Sequence, residues 1–200
     1  MNKNYNKNTE IELKLFNQIE KNKNHSQRSI SKELNIALGL SNALIKKFLS
    51  KGFLKLSQAP MKRYFYYITP RGLVEKAKLT TEFLTSSLDF YNKIRNQYEK
   101  EFYKIKKQKP SKIILIGISE FTEIAILAAK ITEVKIDYIA ESNLKKKKFC
   151  DIPIKTNINE FLNLKQKVFF VLSSQKGISN FMTKIPKNRH LVKPDFLLLS

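Results

Sequence analysis

The sequence predicts an α+β protein in two parts: a helix–turn–helix with a two-stranded wing and a long helix after it, then a small α/β domain with a parallel sheet. Three observations carry this reading. Between Ser26 and Gly52, two short helical patterns meet at a turn and end at a Lys-Gly stop. Phe53–Ser57 and Tyr64–Thr69 are aromatic and β-branched runs separated by polar Gln58–Arg63, the mark of two strands and a loop. Beyond Lys112, short apolar runs alternate with helical patterns, as parallel sheets with helical crossovers require.

Residues 1–8 are polar and rich in Asn and Lys, and read as a disordered tail. Thr9 can cap a first helix whose stripe is Ile11, Leu15, Phe16 and Ile19. Ser26 is an N-cap for the next, in which Ile30 and Leu34 fall on one face. The chain turns through Asn35–Gly39. A helix beginning near Ala37 then buries Leu44, Ile45, Phe48 and Leu49 and leaves Asn42, Lys46 and Ser50 outside. Gly52 follows the last periodic residue, the usual helix stop. With the two strands, residues 9–69 have the plan of a winged helix.

Pro70 suits the first turn of a helix, with Thr69 as its cap. From Leu73 through Ala77, Thr80, Leu84, Leu88, Tyr91, Ile94, Tyr98 and Phe102 to Ile105, nine steps average about 3.56 residues, an amphipathic helix over 70–107. Two readings of its apolar face are open: the same helix of a second copy, giving a homodimer, or the following domain. Residues 108–112 contain Pro110 and read as a linker. In 113–200, Ile113–Ile116 is a buried strand, Phe121–Thr132 a helix, Val134–Ala140 a strand, Asn159–Leu164 a short helix and Val168–Leu172 a third strand. Gly177–Thr183 reads as a helix and Phe196–Leu199 as a last strand. Alternation over so short a span predicts a small Rossmann-like domain.

The formal net charge of +21 and pI near 9.9 suit a polyanionic partner, double-stranded DNA above all. Residues 1–110 hold 23 basic against 9 acidic residues, so most of the excess lies with the winged helix. Only five of the 38 basic residues are Arg, and the Lys/Asn/Ile bias is also what an AT-rich coding sequence produces. One cysteine forms no internal bridge and fits a reducing, cytoplasmic setting. His25 and His190 lack metal-ligand spacing, no segment is apolar enough to span a membrane, and no nucleophile stands with a base. The sequence therefore requires no metal, no cofactor, no membrane and no catalytic residue.

The ordered set SQRSISKELNI, LGLSNALIKKFLSKGFLK and YYITPRGLVEKAKLTTEFL resembles winged-helix regulators of the MarR type, in particular the exopolysaccharide-associated subgroup, over residues 9–105. The resemblance implies DNA binding and transcription control. On that plan Ser41, Asn42 and Lys46 face bases, Gln27, Arg28 and Lys47 contact phosphate, and Lys62 and Arg63 of the wing reach the backbone or minor groove. Leu40 and Ala43 depart from the pattern, standing where larger polar or aromatic residues are expected.

In the second part, Gly117-Ile-Ser119-Glu-Phe-Thr122 occupies the turn from first strand to first helix, where a dinucleotide fingerprint carries three glycines. Glu141, 24 residues beyond Gly117, can hold a ribose, and Ser173 can line the far side. The run IILIGISEFTEIAILAAK with YIAES and FCDIPI is similar to the small Rossmann-like domains at the front of bacterial sugar acyltransferases. That likeness, over about 113–155, implies the fold and a nucleotide-sugar-related ligand; the turn and strand ends themselves offer Gly117, Ser119, Thr122, Glu141 and Ser173 as the candidate site, and the competing reading is a fold used only for packing. Lys145–Lys148 is either a solvated loop or a second DNA contact. The whole reads as a dimeric, sequence-specific DNA-binding regulator whose second domain senses a small-molecule effector. The alternatives are a nucleotide-sugar-related enzyme or accessory protein with a helical appendage, and a non-specific DNA-binding scaffold.

Overall fold

The computed structural model describes residues 3–21, 27–59, 63–142, 147–162, 167–175, 181, 185 and 190–197. The expected cap Ser26, the wing residue Lys62, part of the lysine run and most of the helix expected at 177–183 lie outside the described residues. The chain divides into two compact units, residues 1–89 and 90–200.

The first unit contains α1 (Lys3–Lys21), α2 (Gln27–Leu34), α3 (Leu38–Ser50), β1 (Leu54–Ala59), β2 (Arg63–Ile68) and the start of α4 (Pro70–Lys107). Helix α1 begins at Lys3, so the tail expected over 1–8 is helical from there, ahead of the Thr9 cap. Between α2 and α3, Asn35 takes a left-handed φ of 52°. Its N–H donates to Lys32 O, and Ile36 N–H donates to Ser31 O, closing two of the last carbonyls of α2. The same device ends α3: Gly52 (φ 70°) donates to Leu49 O and Phe53 to Phe48 O. The turn chemistry thus aims α3 across α2 and delivers the chain into the wing. Strands β1 and β2 pair antiparallel from Leu54↔Ile68 to Ala59↔Arg63.

The core beneath is Leu15, Phe16 and Ile19 of α1, Ile30 and Leu34 of α2, Leu44, Ile45 and Phe48 of α3, then Phe53, Leu54, Tyr66 and Leu79. Phe16, Phe48 and Phe53 form its centre, with ring centroids 4.7 to 6.4 Å apart. Ion pairs Lys47–Glu12 and Lys76–Glu20 tie α1 to α3 and α4.

The second unit is a six-stranded mixed sheet in the order β5-β6-β4-β3-β7-β8. Its strands are β3 (Lys112–Ile116), β4 (Tyr138–Ala140), β5 (Lys148–Phe149), β6 (Ile152–Lys155), β7 (Val168–Leu172) and β8 (His190–Val192). All neighbours are parallel except the β5–β6 hairpin, whose Cys150 and Asp151 both take left-handed φ. The sheet is buried on both faces. Ile113 and Leu115 of β3 point to the layer made by α5 (Glu120–Ile131) and the end of α4. Ile114 and Ile116 point to the other, with Phe161 of α6 (Asn159–Leu162), Phe181 and Ile185.

Three expectations change here. The boundary falls at Asp89/Phe90, inside α4, and not at 108–112, because Ile94, Tyr98, Phe102 and Ile105 belong to the core of the sheet unit. Of the strand expected at Phe196–Leu199, Phe196 and Leu197 lie in a single 3₁₀ turn, Asp195–Leu197, and Leu198 and Leu199 lie outside the described residues. The turn follows Pro194, and Phe196 packs edge-on against Tyr98 and Phe121 instead of pairing in the sheet. The expected second strand shortens to Tyr138–Ala140, since Asp137 caps the edge by accepting Ile113 N–H at 2.9 Å.

Candidate nucleic-acid interface

Helix α3 has one face in the core and one in water, and its period decides which residue is where. Ser41, Leu44, Ile45 and Phe48 step by three and four along the buried face. Gly39, Leu40, Ala43, Lys46, Lys47 and Ser50 are exposed, with Ala43 in the middle of that face. Ser41, expected to meet bases, is only 1 % exposed, and its hydroxyl has no hydrogen-bond partner. The reason is spacing: it lies three before Leu44 and four before Ile45, so it turns inward with them. Asn42 is half-buried, and its Oδ1 is sequestered without a partner. Polarity pointed both outward; the helix turns Ser41 into the core and leaves Asn42 on the flank between the two faces.

The cations expected on the same surface are mostly where a duplex could meet them. Arg28 and Lys46 are exposed, as are Lys32 on α2 and Lys55 on the wing. Lys47 is exposed too, but its ammonium is held by the Glu12 carboxylate of α1. Gln27 opens α2 and Arg63 opens β2. At the base of the wing, Lys51 and Arg71 lie over the Phe53 ring, 5.7 and 5.8 Å from its centroid. The sequence reading missed Gly39 as an outward residue, Glu12 as a partner of Lys47, and Arg71 beside the wing. Counting from the apolar anchors Leu44, Ile45 and Phe48, and not from polarity, finds the outward face of α3.

The residues proposed for a ligand in the second unit do converge, at the C-terminal ends of β3, β4 and β7. Strand order reverses there, with β4 and β6 to one side of β3 and β7 and β8 to the other. Their polar atoms are spent on one another. Gly117 (φ 85°) donates its N–H to Ala140 O. Ser119 caps α5, accepting Phe121 N–H, while its hydroxyl donates to Ser173 O at 2.6 Å. Thr122 Oγ1 accepts Ser119 N–H, completing a capping box, and lies 3.0 Å from Gly117 O as donor. Ser173 Oγ donates to Gly117 O at 2.7 Å. Glu141 receives Ile118 N–H on Oε2 and Ser142 N–H on Oε1, at 3.0 and 2.8 Å.

No helix among the described residues is long and apolar enough to cross a membrane. No curated protein matches the chain. Residues 8–55, from α1 into the first strand of the wing, match the family model for winged helix-turn-helix DNA-binding domains.

Proposed function

We propose that the chain is a sequence-specific transcriptional regulator, with α3 entering the major groove and the wing lying along the backbone. The observation that carries this reading is the outward face of α3, flanked by exposed Arg28, Lys32 and Lys46, within the segment that matches a DNA-binding family. Phosphate contacts from these cations supply affinity, and the helix face supplies choice of sequence. The MarR-like plan, in its exopolysaccharide-associated form, is the finer family reading.

The working unit is a homodimer. Its support is the first half of α4, where Leu73, Val74, Leu84 and Leu88 are exposed, the last two at 55 and 61 %. Leu84 and Leu88 lie one turn apart on one side of the helix, and a second copy related by two-fold symmetry covers such a stripe with its own. The Rossmann-like reading of the sheet unit is supported by a strand order that reverses at β3, the place where open α/β sheets hold ligands. We assign it an effector-sensing role for a polar metabolite of nucleotide or sugar type. Glu141 already occupies the amide that a phosphate would take, which favours a neutral ligand.

The test is selection of bound duplexes from random sequence by the full chain, then affinity for selected and scrambled duplexes across salt. Tighter binding to the selected duplex is expected. Arg28→Ala with Lys46→Ala should weaken both and flatten the salt dependence by about 0.9 for each phosphate no longer neutralised. Equal affinity for both duplexes would leave a non-specific scaffold. In sedimentation, the chain should run at twice its 23.4 kDa and Leu84→Lys with Leu88→Lys at the single mass; an unmodified chain of 23.4 kDa would remove the dimer.

A further inference from the structure

We infer that α3 reads thymine methyl groups, through a non-polar contact made by Leu40 and Ala43; this rests on the DNA-binding reading above and names what that surface recognises. Recognition helices of this motif touch base edges with their N-terminal residues. In α3 the outward residues of that half include Gly39, Leu40 and Ala43, and none has a hydrogen-bonding side chain. The polar residues that sequence alone would offer in their place are handicapped: Ser41 is buried, and half-buried Asn42 has its Oδ1 sequestered, which removes the two-point pairing with adenine that needs that oxygen. Lys46, Lys47 and Ser50 follow in the C-terminal half of the helix, and the two lysines carry charge suited to phosphate.

In the major groove each base edge presents donors and acceptors, and thymine alone adds a methyl group. A side-chain face without donors or acceptors cannot pair with guanine O6 and N7 or adenine N6 and N7. Over those edges it would strip water from polar atoms and return nothing. Over a thymine methyl the same face buries carbon against carbon. Leu40 is 51 % exposed, so it has apolar surface to give. Gly39 and Ala43 keep the helix slim enough for the backbone to approach; nothing lies within 4 Å of the Gly39 Cβ position. Sites chosen by this helix should therefore contain A·T pairs at fixed positions, with the thymine methyls on the strand facing Leu40 and Ala43.

The experiment replaces thymine by uracil, one position at a time, in a duplex selected by the full chain. This deletes the methyl and leaves the donor and acceptor pattern intact. At one or two positions per half-site the affinity should fall about four-fold for each methyl removed, the scale of burying one carbon. Random duplex should show no such loss. The variant Leu40→Ser with Ala43→Ser should bind thymine and uracil forms alike, which separates direct contact from altered duplex stiffness. Selected duplexes that bind equally in both forms, or a thymine preference that survives in the variant, would overturn the inference and leave DNA binding standing. Failure to bind any duplex would overturn the DNA-binding reading itself.

Discussion

Replacing Gly72 by alanine should destabilise the winged helix, although alanine is the better helix former. A Cβ at Gly72 would lie 2.1 Å from Phe53 O and 2.9 Å from both Phe53 C and Ile68 Cγ2. The first of these is a backbone atom that cannot swing aside. Phe53 O is also the acceptor for Thr69 N–H at 3.0 Å. Thr69 Oγ1 in turn accepts Gly72 N–H at 3.0 Å and donates to Gly52 O at 2.6 Å. To reach ordinary contact, α4 must back away by more than about an ångström, stretching this set together. Overpacking of that kind costs about 1–3 kcal/mol, and each weakened hydrogen bond about 1 kcal/mol more. Better helix propensity returns about 1 kcal/mol. With three bonds weakened the net loss is about 3–5 kcal/mol, or about 12–40 °C in the melting temperature of a unit this size. Gly39→Ala is the control, because its added methyl meets nothing within 4 Å and should leave the unit unchanged or slightly more stable. Calorimetric scans of the three full-length chains decide it. A Gly72→Ala chain melting at or above the parent temperature would refute the argument from close approach.

Two further outcomes follow from single contacts. Burial pushes the Tyr98 phenol well above its ordinary value, and its hydroxyl donates to Leu172 O at 3.0 Å. An unfolded tyrosine ionises near pH ~10 while the folded one keeps its proton, so this stability is complete below that pH and declines above it, by about 1.4 kcal/mol per pH unit. In urea unfolding from pH 8 to 11.5, the advantage of the parent over Tyr98→Phe should shrink beyond pH 10; a constant gap would contradict it. At the DNA surface, Glu12→Gln should release Lys47 to a phosphate, tightening binding to every duplex and steepening its salt dependence by about 0.9. An unchanged slope would place Lys47 away from the duplex.

The turn and helix chemistry of the first unit was legible because single residues dictate it. Asn35 and Gly52 supply the left-handed positions that end α2 and α3, and a glycine at the second of these announces the stop in the sequence itself. The outward face of α3 is misread at Ser41, where residue polarity and helical phase disagree and phase prevails. Sequence could not divide α4 either. Its apolar steps run evenly from Leu73 to Ile105, yet Ile94, Tyr98, Phe102 and Ile105 are buried in the sheet unit while Leu73, Leu84 and Leu88 are exposed. Period records that a face is apolar, not what covers it. The β5–β6 hairpin escapes notice because its turn is Cys150-Asp151, without the glycine or asparagine that normally announces two left-handed residues.

The second candidate site separates where residues meet from what their polar atoms are doing. Gly117, Ser119, Thr122, Glu141 and Ser173 meet where the strand order reverses, as their spacing implied. What spacing does not carry is the bonding state of each polar atom. The first free amide of the turn, Ile118 N–H, faces a carboxylate of the chain itself, and the hydroxyls of Ser119, Thr122 and Ser173 are satisfied by main-chain carbonyls. A phosphate at this turn would lie beside the Glu141 carboxylate, and at such range like charges repel by several kcal/mol unless water screens them. A neutral polyol can instead share Glu141 as an acceptor, leaving the bond to Ile118 intact. The proposed sensing role therefore makes a charge-first expectation: a neutral polyol should shift the melting temperature of the full chain, and a phosphate ester of the same polyol should not.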